Sequence, residues 1–215
     1  MCFSATASFV ASALTAAVGL YSVSRSRGMR EFPLASMPLF FALQQLVEGG
    51  LWLTLPVAPE GAASSWLSHA FLAFALVFWP LFAPLAAFSV EPDAIRRRLI
   101  GICAAIGGFV SAYFFWQLVT QPHQALIAGG HISYEIGNTP VSVEGAYMVA
   151  TTMGLLVSSH RAVALLGLIV LAGSIVSYAV YMETFVSVWC FFAAVASVTV
   201  AGHFRMVAAR RSAED

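Results

Sequence analysis

The chain has 215 residues, of which 60% are hydrophobic and 9% charged, with ten Arg, ten Asp plus Glu and no Lys. A soluble domain carries about 25% charged residues, so this chain has too little charge to coat a surface facing water, and a soluble globular fold is excluded. The missing Lys excludes a retinal-type chromophore and other Schiff-base chemistry, which need an amine to condense with a carbonyl. The formal net charge is zero, and without a basic excess nucleic acid is not an expected partner.

A membrane-spanning helix needs about 20 mostly apolar residues. Runs of that kind, bounded by Pro, Gly or charge, predict helices at about 5–24, 33–55, 64–89, 97–120, 142–158, 162–181 and 184–205. The expected fold is therefore all-α: one polytopic bundle of seven spans over residues 1–215, with six spans as the fallback. No Arg or Lys precedes the first run, so it reads as a permanent helix rather than a secretory signal. The short turns at 158–162 and 181–184 predict an up-down stack for the last three helices. The longest loop, 121–141, is too small to fold alone. Short cytoplasmic loops retain positive charge. Arg25, Arg27 and Arg30, then Arg96, Arg97 and Arg98, then Arg161, and finally Arg205, Arg210 and Arg211 all fall on one side of a seven-span chain. The expected topology is N-terminus out and C-terminus in, in a bacterial inner membrane.

Lipid provides no hydrophobic drive between helices, so small residues mark close contacts. Gly101, Ala104, Ala105, Gly108 and Ala112 predict the packing face of the fourth span. Pro80 and Pro84 each remove a backbone hydrogen bond from the third and predict a bend. Trp52, Trp66, Trp116 and Trp189 are expected as interfacial anchors.

Polar side chains within spans are expensive and mark candidate sites. Gln44, Gln45, Glu48 and Trp52 share one stripe of the second span, which must face the bundle interior. Glu48 lies about 10 Å below its outer end by helical rise. His69 of the third span is expected at a similar depth. Glu144 and Tyr147 open the fifth span, Tyr178 and Tyr181 close the sixth, Glu183 fills the next turn, Cys190 lies below it and Gln117 ends the fourth span. With Cys2 starting on the same side, the polar groups predict an outward-facing pocket. His160 and His203, at the other side, are expected to touch solvent or headgroups.

Three functional readings follow. In the first, Glu48, His69, Glu144, Glu183, Cys2 and Cys190 supply ligands for a divalent transition metal such as Zn. A hydrolase acting on a lipid-like ester or amide would use His69 to hold the ion and Glu48 as ligand or general base. No compact ligand motif supports such a set, and His131 and Glu135 are a ligand pair only if that loop is helical. In the second, the pocket takes a small molecule or cation for transport or sensing, with Glu48 as its partner. In the third, the stripe is a satisfied internal network in an accessory subunit of a membrane complex or homo-oligomer. A Cys2–Cys190 disulfide is a separate possibility on an oxidising side.

The seven-helix outline resembles the ceramidase-like superfamily of zinc hydrolases in topology. That superfamily's paired histidines, four apart on the last helix, are not matched, since Thr199 precedes His203 at that spacing. A second resemblance rests on residues. Met1-Cys2-Phe3-Ser4-Ala5-Thr6-Ala7-Ser8-Phe9 and Gln44-Gln45-Leu46-Val47-Glu48-Gly49 resemble an uncharacterised family of small bacterial multi-pass membrane proteins. That resemblance implies a bacterial membrane origin and assigns no functional residue. On the predicted topology all ten Arg lie inside with five acids, while Glu48, Glu60, Glu135, Glu144 and Glu183 lie outside with no Arg or Lys. Such an outer side favours a cation over a phosphate.

Overall fold

A computed structural model describes residues 4–180, 189, 192 and 194–214. These residues are mostly helical. Helix α1 runs Ala5–Arg25, α2 Phe32–Thr54, α3 Ala62–Val90, α4 Ala94–Thr120, α5 Val141–Leu156, α6 Arg161–Val180 and α7 Val198–Glu214. Ser4 Oγ accepts from Ala7 N at 3.2 Å to start α1, and Asp93 Oδ1 accepts from Arg96 N at 2.8 Å to start α4. Helix α3 packs against α2, α4 and α5, while α1 packs on α2 and α7, and α6 joins α5 to α7.

Helix α1 meets α2 through a stripe of small residues, Ser8, Ala11, Ser12, Thr15, Gly19 and Ser22, all buried. Ser12 Oγ donates to Ala42 O at 2.8 Å across the interface. On the facing helix, a Cβ on Gly49 would stand 2.6 Å from the Phe9 ring. Small side chains let the two backbones approach and gain dispersion contact where apolar burial alone gives no preference. The packing face of α4 is Ile100, Cys103, Ala104, Gly107, Ser111 and Phe114. Ala105 and Ala112 of the expected small-residue face are exposed instead. Gly107, which was not in the predicted set, is the closest approach.

The prolines of α3 act through the carbonyls they leave unbonded. A π-helical segment occupies Ala73–Phe78, and Trp79 N donates to Phe74 O, five residues back. The next carbonyl in that register, Ala75 O, would require an N–H on Pro80, which proline lacks. Tyr147 supplies the missing donor, its hydroxyl reaching Ala75 O at 2.6 Å. Ser111 Oγ donates to Val77 O, also at 2.6 Å. Pro84 likewise cannot donate to Pro80 O, and Gly107 backs directly onto that carbonyl. A second π-helical segment, Val149–Met153, lies in α5 and packs against α3 and α4.

The 121–141 loop is not structureless, and the all-α expectation needs amending. Strands β1 (Ala125–Ala128) and β2 (His131–Tyr134) pair antiparallel, with Ala128 opposite His131. Gly129 and Gly130 have φ of 58° and 79°, the two positive values that a tight type I′ hairpin turn requires. His131 and Glu135 are therefore not a helical pair. The hairpin is anchored by Tyr134, whose ring stacks on Phe71 of α3 at 4.5 Å.

Of the tryptophans, Trp66 and Trp116 are exposed. Trp189 is not, being buried with Nε1 donating to Val170 O at 3.3 Å. Trp52 is half-buried.

Candidate functional site

The 55–61 turn and the hairpin mark one end of the bundle, and the arginines mark the other. Near the hairpin end, Gln44, Gln45 and Glu48 of α2 are each 0% exposed. They are sealed within the packing and do not line an open mouth. Gln45 Nε2 donates to Glu48 Oε2 at 3.3 Å. Gln44 Oε1 accepts from Trp79 Nε1 at 2.6 Å, and the Trp79 indole is held in turn by stacking on Phe41 at 3.8 Å. These bonds fix both amide orientations, and each leaves one polar atom over. Among the described residues, Gln44 Nε2 and Gln45 Oε1 are buried with no hydrogen-bond partner, as are Trp52 Nε1 on the same stripe and Ser8 Oγ on α1. Ser8 lies one helical turn from Ser12 and beside Phe9, which contacts Gly49, so it faces α2 at the level of Glu48. Two donors, one acceptor and a hydroxyl thus stand unfilled around one carboxylate.

The remaining predicted site residues are distributed differently. His69 is half-buried; its Nδ1 lies 2.8 Å from Ser65 O and its ring meets His123 edge-on, 6.0 Å between centroids. Its contacts lead to the hairpin rather than to Glu48. Gln117 is in that second group, with Nε2 donating to Tyr113 Oη at 3.1 Å. Glu144 is exposed in the first turn of α5, where a carboxylate complements the helix dipole. Cys2, Tyr181, Glu183 and Cys190, with the proposed Cys2–Cys190 bridge, lie outside the described residues, as does the Tyr178 side chain. Among the described residues no three His, Cys, Asp or Glu side chains come together as a metal would need. A cavity of ≈ 20 Å³ beyond Trp79, lined by Phe41, Leu166, Val170 and Trp189, is apolar and has room for about one water.

The arginine end holds a polar group that sequence reasoning missed. Glu91, 3% exposed, accepts from Ser158 Oγ at 2.9 Å, Ser159 N at 2.8 Å and Asp93 N at 3.2 Å. Burial opposes its ionisation, but the hydrogen bonds from Ser159, Ser158 and Asp93 outweigh it and hold the carboxyl below the usual range. Arg96 Nη1 donates to Val157 O and Ser158 O at 3.0 and 3.3 Å. His160 Nε2 lies 2.9 Å from Val90 O, and its ring meets buried His203 at 4.8 Å. Neither His160 nor His203 is a simple solvent contact, because together they tie the 157–160 turn to α3 and α7. Glu91 stands in a connecting turn, where no helical period predicts burial. The only sequence cue was its place two residues before the Asp93 cap.

These features define a helical protein with three helices, Ala5–Arg25, Ala62–Val90 and Ala94–Thr120, long and apolar enough to cross a membrane among the described residues, and with buried carboxylates near both ends. The chain belongs to a family of unknown function (DUF6629), whose model matches residues 1–214. No match was found among curated proteins or solved structures.

Proposed function

We propose that the chain is a seven-span membrane protein of a bacterial inner membrane, N-terminus out, whose α1–α2 pair holds a small polar or cationic solute beside Glu48. The observation that carries this reading is the set of unfilled polar atoms around a fully buried carboxylate. A buried amide or indole group without a partner costs about 1–3 kcal/mol, and native interiors leave few of them. Gln44 Nε2 and Trp52 Nε1 ask for an acceptor, while Gln45 Oε1 asks for a donor. A solute with both, or a cation carrying its own water, meets that pattern, and Glu48 supplies the charge. The arginine-free hairpin end supports cation entry from that side. A zinc hydrolase finds less support, since of the described members of its ligand set His69 is engaged with Ser65 O and the His123 ring and Glu144 is exposed.

The test is thermal unfolding of the detergent-purified chain with Na⁺, K⁺, ammonium, methylammonium and Zn²⁺ added in turn. A ligand that binds the folded state raises the midpoint in a concentration-dependent way, and Glu48→Gln should abolish the rise. If no cation moves the midpoint and Glu48→Gln is more stable than wild type, the stripe is an internal network and the accessory-subunit reading takes its place. Replacing a buried charge with a neutral isostere is often stabilising when the charge has no ligand to serve.

A further inference from the structure

His123 ties the hairpin to the bundle. Its imidazole is 4% exposed and stands between two backbone carbonyls, with Nδ1 3.1 Å from Glu135 O and Nε2 3.2 Å from Gln117 O. Carbonyl oxygens only accept. A neutral imidazole has one N–H and one lone pair, so it satisfies one carbonyl and turns its lone pair against the other. An imidazolium donates to both. Gln117 O also belongs to the last turn of α4, where the helix dipole places partial negative charge that favours a cation.

We propose that His123 is held as an imidazolium that straps the β1–β2 hairpin across the ends of α3 and α4, and that its deprotonation releases the strap. This inference is independent of the Glu48 reading. Among the described residues, the titratable groups on the elements that meet the ring are His69 of α3, Tyr113 of α4 reached through Gln117, and His131, Tyr134 and Glu135 of the hairpin segment. The Glu135 carboxylate is exposed and only its backbone carbonyl meets the ring. The Nδ1 of His69 faces Ser65 O in its own helix, 2.8 Å away, so that nitrogen is turned to α3 and not to His123. Burial pushes the His131 imidazole below its usual range. Release would lift Tyr134 from Phe71 and uncover Leu72, Leu76 and Phe114, which lie under His123.

The test is amide hydrogen exchange at residues 125–134 of the intact, reconstituted chain between about pH 5.5 and 8.5, the span over which imidazoles titrate, after correction for intrinsic exchange. Protection should fall by about tenfold or more as pH rises, the effect of losing one charge-assisted hydrogen bond. His123→Asn should give low protection at every pH, and His69→Ala should keep the step. A flat profile in wild type, or an undiminished step in His123→Asn, overturns the proposal. Nitrogen NMR of ¹⁵N-histidine-labelled wild type decides the point without a variant. Two protonated ring nitrogens for His123 at the acidic end are expected, and a neutral tautomer there overturns it.

Discussion

Replacing Gly107 with Ala should force apart the two helices that hold the centre of the bundle. A Cβ at that position would stand 1.8 Å from Pro80 O and 2.6 Å from Pro80 C. Both are backbone atoms, so no rotamer change relieves the clash. Reaching ordinary contact requires a separation of roughly 1.5 Å, which overpacked sites convert into about 1–3 kcal/mol of destabilisation. One turn along the same face, the 2.6 Å bond from Ser111 Oγ to Val77 O would stretch, adding about 1 kcal/mol. Against this stands Ala's helix-propensity advantage of up to about 1 kcal/mol. The expected net loss is about 1–3 kcal/mol. Gly108 is the internal control, because a Cβ there meets only Leu81 Cδ1, at 3.9 Å, and Gly108→Ala should be neutral or slightly stabilising. Unfolding of the two variants in the same detergent, followed by circular dichroism, measures the difference. If Gly107→Ala and Gly108→Ala unfold alike, the close approach over Pro80 is refuted.

Two further predictions concern the bonds that close the bundle. Tyr147→Phe keeps the ring and removes the donor to Ala75 O, a carbonyl that Pro80 cannot serve, so it should destabilise by about 1–3 kcal/mol; an unfolding midpoint equal to wild type would show that Ala75 O has another donor. Glu91→Gln should destabilise by a similar amount and also change the pH profile. The Glu91 carboxyl is held below its usual range in the fold, so its contribution is fully present above the unfolded carboxylate value of about 4.3 and is lost as pH falls through the lower folded value. Acid unfolding curves should therefore show a wild-type decline that is shallower in Glu91→Gln, and parallel curves would count against the Glu91 network.

The apolar runs made the helices legible, because a run of about 20 apolar residues has few alternatives. Pro80 and Pro84 announced that α3 was irregular, yet not how the irregularity is resolved. That depends on Tyr147 and Gly107 arriving from other helices, a tertiary fact with no local signature. The face of α4 is rotated by a fraction of a turn from the small-residue pattern, since Gly101 and Gly108 are as small as Gly107 and only the Pro80 carbonyl of the partner helix distinguishes them. The hairpin did have a local signal. Gly129-Gly130 between Ala-Leu-Ile-Ala and His-Ile-Ser-Tyr is a two-residue turn flanked by strand formers, but an isolated two-stranded hairpin is marginal in water. It folds because Phe71 and His123 hold it. The Gln44-Gln45-Glu48 stripe was legible as interior from its spacing, but its closure was not. Burial of a polar stripe depends on which neighbour covers it, here α1 with its small residues and Trp79 of α3.

Two buried glutamates separate structure from function in this chain. Glu91 and Glu48 are 3% and 0% exposed, so burial alone does not distinguish them. Around Glu91, two turns deliver three donors to one carboxylate, and the neighbouring Arg96 and His160 are spent on backbone carbonyls. Such a site is largely satisfied by the protein and works as a latch between the 91–93 and 157–160 turns. Around Glu48, the neighbours come from helix faces, and their spare atoms meet no hydrogen-bond partner among the described residues. A fold selected only for stability would fill those positions with apolar side chains, because a partly satisfied buried network is worse than none. Retaining Gln44, Gln45 and Trp52 there is economical only if something else completes the bonds. The same chemistry that makes Glu91 inert therefore makes Glu48 the carboxylate on which the proposed binding rests.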